Sequence, residues 1–370
     1  MRIIADSHIP YLKDYFAGYG DLILKPGRLI TQADTKNADI LLVRSITPVD
    51  AQLLKDSTVN FVGSVTAGAD HLDTKWLDEV GIRYSVASGF NAPPVADYII
   101  SVMAALIKKD LLPKSTFKVG VIGIGNVGRL VVDRLKLFDC DIFLCDPLRA
   151  QKEQDFTSVD LDDLSDLDLI SLHVPLVRGG DNPTYHFINK AFLQRQKPGC
   201  ILLNASRGAV INSDDLLQYG AHLNWCFDVF EKEPGINQTI LAKSLIATPH
   251  IAGYSRQSKI RGVDMIYRIA CEQGIITPKA INPIEMPQQT LRFAAKTPTW
   301  EDIVLGIFNP LLITTMMRST LLNATEHGPL FDEMRNQFNY RYEFAYTKVS
   351  SYQLAAKDQL FLEKLGMVFD

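Results

Sequence analysis

The chain has 370 residues, of which 47% are hydrophobic and 22% are charged, and its net charge is -4. A chain of this length exceeds what one hydrophobic core usually organises, so we expect two or three domains. The charge balance gives no electrostatic footprint for nucleic acid or an anionic membrane, and we expect neither as a partner. This net charge is still compatible with a local basic pocket that binds a phosphorylated metabolite.

The N-terminus and the cysteines indicate a compartment. Residues 1–6 read as a strand interrupted by Asp6 and lack the long apolar core of a signal peptide. The most apolar stretch, residues 98–107, is far shorter than the roughly 20 residues that span a bilayer. Five cysteines without a CxxC pair are typical of buried thiols in a reducing cytosol. We therefore expect a cytoplasmic protein without a membrane segment.

Short strand-forming runs alternate with helical runs through most of the chain, as in parallel sheets covered by helices. The predicted strands are residues 1–6, 40–43, 61–63, 118–122, 142–145, 169–172, 201–204 and 225–230. The predicted helices are residues 95–107, 129–138 and 255–273. The pattern predicts an α/β fold with two doubly wound, Rossmann-like parallel-sheet domains plus a small α+β C-terminal domain.

Turn and helix signals divide the chain into three parts. The predicted domains are a substrate domain over 1–93 and 255–285, a Rossmann domain over 94–254, and a C-terminal domain over 286–370. In the last of these, the apolar stretches 303–313 and 360–369 need burial. A unit of fewer than about 100 residues struggles to complete such burial alone. We therefore expect a homodimer in which the C-terminal domain forms much of the interface.

A glycine-rich loop joins the strand predicted over 118–122 to the following helix. Its residues include Gly123, Gly125, Asn126, Val127 and Gly128. Glycine suits this spacing because the turn is tight, the backbone must approach a pyrophosphate, and the helix must pack closely on the strand. The helix N-terminus then offers N–H groups to the anion. The motif in this setting predicts a dinucleotide site rather than a purely structural turn.

An acid, Asp146, ends the next predicted strand, about 20 residues past the last glycine of the loop. A carboxylate in this place accepts hydrogen bonds from both ribose hydroxyls and repels a 2′-phosphate. The sequence therefore predicts NAD rather than NADP as the cofactor.

Arg207 follows the strand predicted over 201–204, at the strand's carboxyl end, where α/β proteins bind ligands. A guanidinium can hold a carboxylate through two parallel hydrogen bonds. An isolated arginine is more often a salt-bridged surface residue, but the neighbouring motifs favour a place in a site. Three acids follow the next strand, and sequence chemistry does not rank them: Asp228, Glu231 and Glu233.

His250 stands after a proline and before a turn of small residues. Its unperturbed pKa of about 6.5 suits a group that accepts and returns a proton near neutrality. Four of the remaining histidines lie in ordinary contexts, namely His8, His186, His222 and His327. The other two, His71 and His173, border candidate ligand loops. The sequence has no HExxH motif and no paired cysteines, so we predict no metal site.

With these motifs, the chain resembles the D-isomer-specific 2-hydroxyacid dehydrogenases over roughly residues 1–273. Matched motif by motif, SRGxV gives Arg207, the glutamate before proline in DVFxxEP gives Glu233, and TPHxAG gives His250 as that family's catalytic triad. The further cofactor contacts that the resemblance implies are Asp228, Val174 and Gly253. It implies an enzyme that passes a hydride from a 2-hydroxy acid to NAD.

Residues 42–47, 66–73 and 250–262 resemble a subfamily that acts on a phosphorylated 2-hydroxy acid. That resemblance assigns substrate contacts to Ser45, Thr66 and Tyr254. Residues 331–335 and 341–344 resemble the subfamily's dimerisation domain. Three positions depart from the residues that relatives usually carry: Phe90, Asp97 and Tyr342. The rival interpretations are a dehydrogenase for another acid, such as 3-phosphoglycerate, and an NAD-sensing binding module like a corepressor.

Overall fold

The computed structural model describes residues 1–281, 284–293, 297–338, 340–350 and 353–370. These residues form two compact units. The first unit consists of Met1–Asn91 with Ser255–Pro287, and the second unit consists of Ala92–Tyr254 with Gln288–Asp370.

The first unit contains one parallel sheet and short helices. Its strands are β1 Arg2–Asp6, β2 Asp21–Lys25, β3 Ile40–Val43, β4 Phe61–Ser64 and β5 Arg83–Val86. They lie in the order β2-β1-β3-β4-β5. Its helices are α1 Leu12–Phe16, α2 Gln32–Thr35, α3 Ala51–Leu54, α4 Thr74–Val80 and, after the second unit's first segment, α11 Arg256–Glu272. Ser255 caps α11 by accepting a hydrogen bond from the Ser258 backbone N–H.

The second unit contains a six-stranded parallel sheet. Its strands are β6 Phe117–Ile122, β7 Cys140–Cys145, β8 Leu169–Leu172, β9 Ile201–Asn204, β10 Asn224–Phe227 and β11 Ile246–Ala247. They lie in the order β11-β10-β9-β8-β6-β7, so the direction of strand addition reverses between β6 and β8. In doubly wound sheets, ligands bind outside the carboxyl ends of the strands at such a reversal.

Helices cover this sheet. The helices of the segment Ala92–Tyr254 are α5 Ala92–Ile107, α6 Asn126–Leu135, α7 Pro147–Ala150, α8 Lys190–Arg195, α9 Ser213–Tyr219 and α10 Gln238–Lys243. All residues of α5 except Pro93 are buried, which explains its nearly continuous apolar sequence. Short 3₁₀ turns lie at Ala17–Tyr19, Gly27–Leu29, Leu161–Asp163, Gly208–Val210 and Phe344–Tyr346.

The C-terminal part of the second unit contributes four helices and a small parallel sheet. The helices are α12 Trp300–Ile307, α13 Pro310–Leu321, α14 His327–Gln337 and α15 Ala356–Lys364. The strands are β12 Gln289–Arg292, β13 Thr347–Ser350 and β14 Val368–Phe369, in that order. The predicted fold class, with two doubly wound sheets and a small α+β part, is confirmed.

The C-terminal segment packs into the second compact unit, so the predicted division into three domains stays a prediction. Ile303, Phe344 and Leu362 are at most 1% exposed and belong to the same apolar core as α5 and β6. Asp97 of α5 adds a polar link, because it pairs with Arg134 and accepts a hydrogen bond of 2.9 Å from the Phe344 backbone N–H. The C-terminal segment therefore completes the second unit's core.

Some element boundaries differ from the prediction. The strands at 40–43, 169–172 and 201–204 agree, whereas the strand predicted to end at residue 230 ends at Phe227. Helix α5 begins at Ala92, ahead of two prolines, because proline is tolerated in the first helical turn. Within the described residues no single helix has the length and apolar character of a membrane span; α12 and α13 meet that criterion only together, with a bend of 43°.

Candidate active site

The glycine-rich loop lies at the carboxyl end of β6, beside the reversal in strand order. Gly123 has a φ of +89°, and a Cβ there would lie 2.8 Å from the His173 carbonyl oxygen. A Cβ on Gly128 would lie 2.0 Å from the Gly123 oxygen, whereas one on Gly125 would meet no atom within 4 Å. Gly125 thus faces open space just before α6 begins. This combination of tight packing and one open backbone face fits a dinucleotide pyrophosphate.

Asp146 follows β7 and supports this loop. Its Oδ2 accepts a hydrogen bond of 2.8 Å from the Ile124 backbone N–H, and its Oδ1 accepts one of 3.0 Å from that of Arg149. A carboxylate has about four lone-pair sites, so these two bonds leave acceptor capacity for a ribose. Val174, also expected at the cofactor, packs against the loop, because a Cβ on Gly123 would lie 2.8 Å from its Cγ1.

Arg207 sits in a turn that its neighbours fix. Asn204 Nδ2 donates a hydrogen bond of 2.9 Å to the Arg207 carbonyl, and Asn204 Oδ1 accepts bonds from the backbone and the hydroxyl of Ser206. The next residue, Gly208, has no room for a side chain, since a Cβ would lie 1.9 Å from the Phe230 carbonyl carbon. This contact brings the turn bearing Arg207 against the turn that follows β10.

Glu233 and His250 form a hydrogen-bonded pair. Glu233 Oε2 lies 2.7 Å from His250 Nδ1, and Glu233 Oε1 accepts a hydrogen bond of 2.8 Å from the Phe230 backbone N–H. Burial raises the pKa of Glu233, but His250, the charge of Arg335 and the Phe230 N–H together outweigh burial and hold that pKa below its usual value. Burial and the charge of Arg335 lower the pKa of His250, but Glu233 and Asp228 together raise it above its usual value. Because Glu233 engages Nδ1, Nε2 is the other ring nitrogen at which a proton could be exchanged.

The loop that carries His250 is held by Asp228. His250 has a φ of +57°, a left-handed conformation that costs a non-glycine residue roughly 1–3 kcal/mol. Asp228 Oδ1 accepts hydrogen bonds from the Thr248 hydroxyl at 2.6 Å and the Ile251 N–H at 2.8 Å, while Oδ2 accepts from the Ala252 N–H at 2.9 Å. Burial raises the pKa of this carboxyl, although His250 and the three donors oppose that shift.

These contacts separate the three acids that the sequence left unranked. Glu233 meets His250, Asp228 binds the histidine's loop, and Glu231 lies 2.8 Å from His186 Nε2. Asp228 is 2% exposed, so its contacts here are structural. Its expected place near the nicotinamide stays a prediction, as does that of Gly253.

The two histidines bordering candidate ligand loops have local partners. His173 Nε2 lies 2.9 Å from Ser171 Oγ, and burial lowers the pKa of His173 to about 3. In the first unit, His71 Nε2 lies 2.8 Å from Ser64 Oγ, which lies 2.7 Å from Thr66 Oγ1. Among the residues that the structure describes, no three His, Cys, Asp or Glu side chains are grouped to hold a metal ion.

The three predicted substrate residues lie in both units. Thr66 Oγ1 donates a hydrogen bond of 2.9 Å to the Gly68 carbonyl, and Ser45 is an exposed residue after β3. In the second unit, the ring of Tyr254 contacts the ring of Tyr340 edge-on, with centroids 5.7 Å apart. Each stays a prediction as a substrate contact.

Sequence reasoning missed the role of Arg341. This arginine is 6% exposed, and its guanidinium donates to the carbonyls of Ile251 and Tyr254, both at 3.1 Å. It also donates to the carbonyls of Ala252 and of Pro94 in α5. Four carbonyls on one guanidinium fix the path of the loop after His250. The sequence signal nearest to this role is the motif around 341–344, which the resemblance assigns to dimerisation.

Comparison with known proteins agrees with this geometry. The model of the D-isomer specific 2-hydroxyacid dehydrogenase NAD binding domain matches residues 108–252. An erythronate-4-phosphate dehydrogenase of Coxiella burnetii (strain RSA 331 / Henzerling II) is 43% identical over 347 residues, which cover 93% of this chain and 94% of that protein. The chain belongs to the D-isomer-specific 2-hydroxyacid dehydrogenase family, in its erythronate-4-phosphate dehydrogenase branch.

A second relative and a solved structure add to this. The erythronate-4-phosphate dehydrogenase of Pseudomonas savastanoi pv. phaseolicola (strain 1448A / Race 6) is 37% identical over 360 residues, covering 94% of each chain. The crystal structure of the TT0316 protein from Thermus thermophilus has a TM-score of 0.64 at 23% identity and covers 74% of this chain and 97% of that chain. The resemblance read from the motifs is thus confirmed, and the protein is an NAD-dependent oxidoreductase.

Proposed function

We propose that the protein oxidises 4-phospho-D-erythronate at C2 with NAD, giving (R)-3-hydroxy-2-oxo-4-phosphooxybutanoate, a step of vitamin B6 biosynthesis. The observation that carries the substrate is the 43% identity, across 93% of the chain, to a protein named erythronate-4-phosphate dehydrogenase. The Glu233–His250 pair, with Nδ1 engaged at 2.7 Å, supports a proton-transfer role within that reaction.

The proposed roles follow from the chemistry of each group. His250 Nε2 accepts the proton of the C2 hydroxyl as the C2–O double bond forms. Glu233 holds the imidazole by Nδ1 and stabilises its protonated form. Arg207 binds the substrate carboxylate through two parallel hydrogen bonds. Bound NAD supplies the acceptor for the C2 hydride.

The cofactor and substrate contacts complete the proposal. Gly123, Gly125, Asn126, Val127 and Gly128 would hold the pyrophosphate, and Asp146 would accept the ribose hydroxyls and exclude a 2′-phosphate. Further cofactor contacts are proposed at Val174, Asp228 and Gly253. By the motif resemblance, the proposed substrate contacts are Ser45, Thr66 and Tyr254.

A substrate panel tests the activity. NADH formation is measured with 4-phospho-D-erythronate, unphosphorylated D-erythronate and 3-phosphoglycerate, each with NAD and with NADP. We expect the highest kcat/KM with the first acid and NAD. Preference for 3-phosphoglycerate would contradict the substrate assignment, and NAD binding without turnover on any acid would favour a sensing module. Arg207→Lys tests the proposed carboxylate contact. Turnover should fall while NAD binding is kept, because a point-charge ammonium cannot form the two parallel hydrogen bonds of a guanidinium.

We further propose a cytoplasmic homodimer. All five cysteines are free thiols, which suits a reducing compartment.

On α13, Leu312 and Met316 are 67% and 49% exposed, and their spacing of four places them on one helix face. A second subunit would bury that face. Leu312→Glu should shift sedimentation toward monomer, whereas the matched control Leu29→Glu, at an exposed leucine of the first unit, should not; an unshifted dimer would move the interface elsewhere.

A further inference from the structure

A second arginine of the C-terminal segment, Arg335, is partly buried and contacts the loop that carries His250. It lies near the end of α14, and its side chain is 13% exposed. Its Nη2 donates a hydrogen bond of 3.3 Å to the Tyr254 hydroxyl, four residues after His250 on the same loop. Among the described residues, its Nε has no hydrogen-bond partner although it is buried. A buried guanidinium with so few direct bonds needs a nearby negative charge to compensate its desolvation.

The available negative charges identify what Arg335 faces. Asp332, one turn earlier on α14, comes only to 3.9 Å from Nη1, at the limit of an ion pair. Glu233 is the other carboxylate whose charge acts on Arg335. The carboxylate of Glu233 is hydrogen-bonded to His250, and the charge of Arg335 also lowers its pKa.

We propose that Arg335 is a positioning residue of the active site, which fixes the Tyr254 hydroxyl and balances the charge of Glu233 beside His250. This inference rests on the proposed function, because it takes His250 as the base of the oxidation. It gives the C-terminal segment a part in catalysis that is separate from the loop contacts of Arg341.

The balance matters because the base must be neutral before it can accept the hydroxyl proton. Burial lowers the pKa of His250, Glu233 and Asp228 raise it, and the charge of Arg335 lowers it. Without Arg335, a positive charge that opposes Glu233 and Asp228 would be lost, and the pKa of His250 would rise further. A larger share of the enzyme would then carry a protonated histidine near neutral pH.

The test compares Arg335→Gln, which removes the charge, with Arg335→Lys, which keeps it. The His250 ring is titrated by NMR in each free enzyme and assigned with a His250→Asn variant, so this readout needs no substrate. We expect His250 in Arg335→Gln to titrate at higher pH than in the unsubstituted protein, and in Arg335→Lys to stay close to it. Arg318→Gln is the control, because Arg318 on α13 binds carbonyls of Leu241 and Ala242 instead.

Kinetics supply the second readout. In Arg335→Gln, kcat/KM at pH 7 should fall about 10- to 100-fold, the scale of a slightly misplaced catalytic group, and its acid limb should move to higher pH. Identical His250 titration in Arg335→Gln and the unsubstituted protein would overturn the proposal. So would a raised KM with an unmoved pH profile, which would make Arg335 a substrate-binding residue. If the unsubstituted protein titrates as expected but oxidises no acid, it is the proposed function that fails.

Discussion

In the second unit, the glycine-rich loop and the loop that carries His250 are each held by an aspartate at a strand end. They differ in the other contacts that hold them. Asp146, after β7, binds the backbone N–H of Ile124 in the glycine-rich loop. Asp228, after β10, binds two backbone N–H groups in the loop that carries His250. In both, an acid at a strand end holds the loop that follows a neighbouring strand.

The two loops differ in how deeply the supporting acid is buried and in how far along the chain the other supporting residues lie. Asp146 is half-buried and its loop is completed by glycines that are close in sequence. Asp228 is 2% exposed, and its loop has a strained histidine that also depends on Arg341, 90 residues beyond Ile251. The cofactor loop is thus a local structure, whereas the catalytic loop depends on distant parts of the chain.

Arg341→Met should have the largest effect, because it removes the distant support and leaves four carbonyls without their donor. We expect the free energy of unfolding to fall by about 3–5 kcal/mol, the range for removing one partner of a buried charged network. Urea denaturation followed by circular dichroism measures it. Unchanged stability would mean that the catalytic loop is as self-sufficient as the glycine-rich loop.

Asp228→Asn should spare most of the fold but displace His250. An amide nitrogen in place of one oxygen would oppose a backbone N–H, so the loop would shift. We expect kcat to fall about 100-fold, as for a misplacement of roughly an ångström, with a smaller loss of NAD affinity because Asp228 is also a proposed cofactor contact. Stopped-flow assays and fluorescence titration with NADH separate the two quantities. Equal losses of kcat and NADH affinity would show that the two loops are not independent.

Asp146→Ala tests the other loop. It removes the ribose acceptor and the charge that repels a 2′-phosphate, together with one local loop contact. The ratio of kcat/KM for NAD to that for NADP should fall about tenfold, equivalent to one lost hydrogen bond. The His250 titration should not change, since its loop is supported elsewhere. A constant ratio would move the ribose contact to another residue.

The smallest expected effect is on the pH dependence of kcat/KM, which also distinguishes the His250 loop from the glycine-rich loop. Burial lowers the pKa of His250, but Glu233 and Asp228 together raise it above its ordinary value of about 6.5. The base is therefore protonated below that raised midpoint, and kcat/KM for oxidation should fall as pH drops through it. Glu233→Gln should move the acid limb to lower pH. An acid limb that moves upward would contradict the assigned sign. Asp146→Ala should leave the limb in place.

Local motifs were readable from the sequence, and distant contacts were not. The glycine-rich loop and its flanking strand and helix were predicted because each depends on neighbours in the chain. Ranking Asp228 against Glu233 required the family resemblance, since both acids follow the same strand. Arg335 and Arg341 could not be placed, because a single sequence does not say which surface a segment 80 to 90 residues later will cover.

Arg341 also sets the order in which the protein becomes competent during synthesis. It leaves the ribosome 90 residues after Ile251, a delay of roughly 5 to 20 seconds at about 5 to 20 residues per second. During that interval the histidine's loop has no clamp, and the second unit's core still lacks Phe344 and Leu362. A chain whose translation stops before Arg341 should therefore show no turnover, and assays on chains arrested before and after Arg341 would test this.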